Sequence, residues 1–188
     1  MIRAILCSMI LSLSVTSLAS AQQEADTLSL GVPLDLPEVG EPYVANKFND
    51  WTVHCIRSAD GKDPCEMKQL LLNEQNQPMS EISLFKLPEG QPAAAGANLV
   101  VPLETLLTAP LTITYDEDTT KQYPYSFCNE VGCYVRIGMT AEEVETLEKG
   151  DVAGITVVHI GRPQTPIRFG MSLSGFTKAF NSLPAVNP

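Results

Sequence analysis

From Phe48 onward, apolar and polar residues alternate with a period of two over most of the chain, as strands with one buried face do. Trp51, Val53 and Cys55 alternate with Thr52, His54 and Ile56. The stretch Ser58-Ala59-Asp60-Gly61-Lys62-Asp63-Pro64 then supplies dense turn chemistry, and Cys65, Met67, Gln69 and Leu71 continue as a second strand. This predicts a hairpin with Cys55 and Cys65 facing each other near its loop end, their sulfurs on the same face as Trp51 and Met67. A third strand is predicted over Glu81 to Leu87, and Leu99, Val101 and Leu103 alternate again, as do Leu111, Ile113 and Tyr115.

After the solvated turn Asp116-Glu117-Asp118, the residues Tyr123, Tyr125 and Phe127 are expected to line one face of the next strand. Cys133, Val135, Ile137 and Met139 alternate on its predicted partner, which makes Asn129 to Gly132 a hairpin loop stapled across its mouth. Thr140-Ala141-Glu142-Glu143 reads as a capping box opening a short helix whose apolar face is Val144 and Leu147 and which Gly150 is suited to end. The run Val152 to Ile160 is apolar on both faces and rich in β-branched residues, which predicts a central strand. Ile167, Phe169, Met171 and Leu173 alternate in a last strand, and a helix over Ser174 to Leu183 would bury Phe176 and Phe180 at a spacing of four. Many short strands with two brief helices predict an all-β fold, a β-sandwich or partly closed barrel.

The first residues lie outside that pattern. Arg3, the apolar run Ala4 to Val15 and Ala19-Ser20-Ala21 form the charged start, apolar middle and small-x-small cleavage site of a secretory signal over residues 1–21. Its uninterrupted apolar stretch is shorter than the roughly 20 residues of a spanning helix. Residues 22–46 carry Pro33, Pro37 and Pro42 with several acids and little periodicity, an extended leader, and residues 47–188 form a single β domain. No transmembrane helix is expected after signal cleavage.

Composition sharpens this. The 188 residues include 22 acidic and 12 basic side chains and are 44% hydrophobic, a globular usage. An acidic balance does not suit nucleic acid, which is bound by Lys and Arg releasing counterions. Removing 21 residues, which include Arg3 and Cys7 and no acid, takes the formal charge from −10 to −11 and leaves four cysteines. An even count in an exported chain points to disulfides. Four cysteines allow three pairings, of which Cys55 with Cys65 and Cys128 with Cys133 are geometrically easy if each pair closes a hairpin. Loop entropy gives those closures about 2.8 and 2.2 kcal/mol. Zinc knuckles hold ligands two to four residues apart, unlike Cys55 and Cys65, and neither pair is a Cys-x-x-Cys redox motif.

Catalytic and cofactor signatures are missing. His54 and His159 both fall in predicted strands without partners, and Gly170-Met171-Ser172-Leu173-Ser174-Gly175 breaks the G-x-S-x-G pattern at its fifth position. Asp116-Glu117-Asp118 would need glycine where Lys121 stands to begin an EF-hand loop. No phosphate-cradling glycine loop is present. No catalytic, cofactor or metal residue is expected. Trp51 with Tyr123, Tyr125 and Phe127 would form a ligand platform if exposed and core if buried.

Phe48-Asn49-Asp50-Trp51-Thr52-Val53-His54-Cys55, then Cys65-Glu66-Met67-Lys68-Gln69, then Cys128 with Gly132-Cys133, and finally Met171-Ser172-Leu173-Ser174-Gly175-Phe176 with Ala179, resemble the invasion associated locus B family of exported bacterial proteins. The resemblance covers roughly Phe48 to Phe180. It implies a periplasmic, secreted or outer-envelope protein of an alphaproteobacterium with an all-β domain. Founding members are associated with host-cell invasion, and the family supplies no active site to carry over. Trp51 and the four cysteines transfer as structural positions, and Gly132, Gly175 and Phe176 belong to the shared motifs. The expected function is a non-enzymatic envelope protein working through a protein partner, an envelope assembly or host surface. The alternative is a small-ligand-binding or hydrolytic periplasmic domain, which would gather Tyr123 to Phe127 and His54 around one pocket.

Overall fold

In the computed structural model, which describes residues 37–73 and 75–186, the alternating segments become eleven strands. They are β1 (Pro42–Phe48), β2 (Trp51–Ile56), β3 (Cys65–Leu72), β4 (Pro78–Lys86), β5 (Ala95–Val101), β6 (Leu111–Thr114), β7 (Thr120–Tyr123), β8 (Phe127–Cys128), β9 (Cys133–Met139), β10 (Val152–Val157) and β11 (Ile167–Ser172). The helices are α1 (Ala141–Lys149) and α2 (Phe176–Ser182). The predicted signal segment, Cys7 and the leader as far as residue 36 lie outside the described residues.

Antiparallel pairing builds a seven-stranded sheet in the order β1-β2-β3-β4-β5-β9-β8 and a four-stranded sheet in the order β11-β10-β6-β7, neither closed into a barrel. Period-two alternation turns one side of each sheet inward, and a single core joins them. The larger sheet contributes Trp51, Val53, Met67, Leu71, Ile82, Leu84, Leu99, Val135 and Ile137; the smaller contributes Leu111, Ile113, Ala153, Ile155, Phe169 and Met171. Each fully buried large side chain of this kind stabilises the fold by about 1.5–3 kcal/mol.

Three strand expectations change. Strand β1 begins at Pro42, inside the stretch read as leader, because a bulge between Val44 and Asn46 breaks its alternation and hides it from a period-two reading. Tyr123, Tyr125 and Phe127 do not share one strand. Tyr123 ends β7 in the small sheet and Phe127 opens β8 in the large one, with the chain changing sheets through Pro124, which has no N–H to give a ladder. Strand β10 is central, between β11 and β6, but one face meets solvent: Val152 is 60% exposed, and Ile160 lies beyond the strand's end. His159 therefore sits in a loop rather than in a strand.

Helix α1 opens with the expected capping box. The Thr140 hydroxyl accepts from the Glu143 N–H at 3.3 Å, and the Glu143 carboxylate accepts from the Thr140 N–H at 2.7 Å. The other Glu143 oxygen lies 2.6 Å from Lys121 Nζ, which pins the helix to β7 and raises the Lys121 pKa. Gly150 follows the helix in extended backbone (φ −84°), so it is not a left-handed cap; a Cβ there would meet Leu173 Cδ1 at 2.9 Å. On α2, Phe176 and Phe180 stack one turn apart with ring centroids 5.9 Å apart.

Candidate functional site

The first and last resemblance motifs, over 120 residues apart in sequence, interlock. Phe48 pairs with Trp51 across a two-residue turn in which Asn49 takes a left-handed φ of 50°. Against that turn lies the end of β11. The Trp51 indole N–H donates to the Ser172 carbonyl at 2.9 Å, and the Gln69 side-chain amide both donates to that carbonyl and accepts from the Ser172 N–H, each at 2.9 Å. Gln69 thus imitates a strand neighbour and ties β3 to β11 across the sheets. The Ser172 hydroxyl donates to Asp50 at 2.7 Å, and the Asn49 amide donates to the Ser174 hydroxyl at 3.0 Å.

Gly175 (φ +89°) closes this clasp. A Cβ there would stand 2.1 Å from the Phe48 carbonyl oxygen, so the position admits no side chain. Phe176 then meets the Trp51 ring edge-on, centroids 5.4 Å apart. These polar groups satisfy one another, and the motif's job is to hold two sheets together. Trp51, Gly175 and Phe176 were visible in the sequence as motif positions. Gln69 also stands in a shared motif, but its bridging role was not read from it; the signal was a polar residue on the inward side between Met67 and Leu71.

The disulfides join Cys55 to Cys65 and Cys128 to Cys133, each between directly opposed residues of a hairpin. The loop beyond the first is organised by Asp63, whose carboxylate accepts from the Tyr43 phenol at 2.6 Å and the Ser58 N–H at 2.7 Å and pairs with Arg57 at 3.3 Å. The Tyr43 hydrogen bond is the main reason its pKa lies below the ordinary carboxylate value. At the second hairpin Gly132 passes against β5, where a Cβ would lie 2.4 Å from the Val101 carbonyl oxygen.

The remaining chemistry-bearing residues are scattered. Tyr123 and Tyr125 pack against the core. The Tyr123 hydroxyl meets that of Tyr115 at 2.7 Å, and burial pushes the Tyr125 phenol up to about 12. Phe127 faces outward on β8, five strand positions from His54 on β2, or roughly 24 Å across the sheet. His159 Nε2 lies 3.1 Å from an exposed Glu104 carboxylate while its Nδ1 accepts from the Gly161 N–H. Among the described residues, no three His, Cys, Asp or Glu side chains converge as a metal site. A groove of about 740 Å³ beside the clasp is lined by Lys47, Asp50, His54 and Lys68, open to solvent and polar.

The outer face of the seven-stranded sheet carries two parallel rows of side chains, set by register. One is Leu70, Glu81, Val100, Tyr134 and Phe127; the next is Thr52, Lys68, Ser83, Asn98 and Arg136. Phe127, 44% exposed, stacks on Tyr134 with centroids 4.6 Å apart and planes 12° from parallel, and the Arg136 guanidinium lies over Phe127 at 5.8 Å. A shallow groove of about 350 Å³ runs between the rows. Exposed Leu70, Leu103 and Val131 border an adjoining apolar groove. Sequence pattern alone hid this face, because it singled out Phe127 as one of three residues on a strand that does not exist and left Tyr134 and Arg136 as ordinary outward positions.

A sequence model of the Invasion associated locus B (IalB) protein matches residues 51–184. The chain belongs to the invasion associated locus B family. The crystal structure of invasion associated protein B from Bartonella henselae is similar to it, with 25% identity and a TM-score of 0.61 over 72% of this chain and 91% of that one. No curated protein matches. The four cysteines, Trp51, Gln69 and the Ser172–Phe176 segment all lie within the region shared with the family, whereas strand β1 precedes it. The IalB domain of this chain is therefore a two-sheet, doubly stapled β fold closed by the clasp.

Proposed function

We propose that this IalB-family protein is an exported, non-enzymatic envelope protein that works through protein contacts made by the outer face of its seven-stranded sheet, in host-cell invasion or as an accessory subunit of an envelope assembly. The observation that carries the reading is the solvent-facing stack of Phe127, Tyr134 and Arg136 beside exposed Leu70. Aromatic residues and arginine on an exposed surface are the composition of interface anchors. Export to the periplasm or beyond is supported by the signal segment at residues 1–21 and by two disulfides, which persist in oxidising compartments. Among the described residues, no helix is long and apolar enough to cross a membrane.

A small-ligand or hydrolytic role is less well supported, because Tyr123, Tyr125, Phe127 and His54 do not surround one pocket. Co-purification from detergent-solubilised envelopes tests the proposal. The native chain should bring down a partner protein that Phe127→Ala with Arg136→Glu does not retain. A partner retained in full by that variant would contradict the assignment to this face.

A further inference from the structure

Resting on the protein-contact reading, we propose that the outer face recognises an acidic segment of its partner, a carboxylate side chain seated on Arg136 with a neighbouring apolar or aromatic side chain on the Phe127–Tyr134 stack. The row Thr52, Lys68, Ser83, Asn98 and Arg136 crosses five adjacent strands, roughly 19 Å, and every member carries a hydrogen-bond donor. Lys68 is already engaged by Glu66 at 2.8 Å. Arg136 pairs with no carboxylate among the described residues, and its planar guanidinium lies over Phe127, an arrangement that leaves its N–H fork available for a bidentate carboxylate.

Glu81, the one acid in the two rows, lines the far side of the same groove, on a strand two away from that of Arg136, about 10 Å between backbones. Screening confines its repulsion at physiological salt, since the Debye length is about 8 Å. The charge pattern also limits what kind of anion fits. With 22 acids against 12 bases, the chain repels a long polyanion, whereas a single carboxylate held against one stacked arginine feels the local field. A short acidic and aromatic protein segment matches the site; an anionic polysaccharide or lipid surface does not.

The test is an NMR titration of the native full chain with the blocked peptide Gly-Glu-Tyr-Gly-Gly, which carries one carboxylate beside one aromatic ring. Gly-Lys-Tyr-Gly-Gly, dextran sulfate and phosphatidylglycerol vesicles are the comparison probes. Saturable shifts confined to amides around Ser83, Asn98, Tyr134 and Arg136 are expected with the acidic peptide alone. Arg136→Gln, an exposed change that leaves the core intact, should weaken binding by about five-fold or more, as should raising salt from about 0.05 to about 0.5 M. No shift with the acidic peptide, equal shifts with the basic one, or binding of dextran sulfate or vesicles at these amides would each overturn the proposal. A protein partner that co-purifies through this face while the peptide leaves it unshifted would keep the protein-contact reading and remove the acidic segment.

Discussion

Gly175, Gln69 and Asp63 show how single positions hold this fold. Gly175→Ala sets a Cβ into the Phe48 carbonyl at a left-handed φ, two penalties at once, and should destabilise the protein by about 2–4 kcal/mol in chemical denaturation. A loss below about 0.5 kcal/mol would mean that the turn can move away. Gln69→Leu preserves volume but removes both hydrogen bonds to Ser172, leaving its half-buried N–H unpaired, and should cost about 1–2 kcal/mol. Asp63 predicts a pH signature. Its folded-state pKa is depressed, so its contribution is present above the unfolded value, near 3.8, and is lost as pH falls through the lower folded value. The stability gap between the wild type and Asp63→Asn should therefore be present at neutral pH and close in strong acid; a gap independent of pH would contradict the assignment.

Among the elements, β8 is the one most dependent on a covalent tie. It has two residues, Phe127 and Cys128, and pairs with Tyr134 and Cys133 at the sheet's edge. Replacing Cys128 and Cys133 by serine should cost about 2 kcal/mol and release Phe127 from Tyr134, seen as loss of the ring-current shifts between them. Retention of those shifts would show that pairing alone holds the strand. Most elements were legible from their alternation, because a strand with one buried face writes its period into the sequence. Strand β1 was not, since its bulge shifts the period within seven residues. The aromatic run at Tyr123 to Phe127 misled for a related reason: the alternation continues through Pro124 while the chain changes sheets, and pairing is not a local property.

At the scale of the molecule, two sheets meet at the clasp between the Asn49 turn and Ser172–Phe176, and one broad sheet face is left to solvent. The cysteine framework and the clasp's motif positions were readable from one sequence. The outer face was not, because register across β3, β4, β5, β9 and β8 decides which side chains become neighbours. The proposed protein contacts are assigned to that face because Phe127, Tyr134 and Arg136 stack there in solvent. The most direct test installs a photo-crosslinking residue at Ser83, in the middle of the row, and another at Thr156 on the smaller sheet, and irradiates intact producing cells. A discrete protein adduct from Ser83 and none from Thr156 is the predicted result; adducts from Thr156 alone, or from neither position, would contradict it.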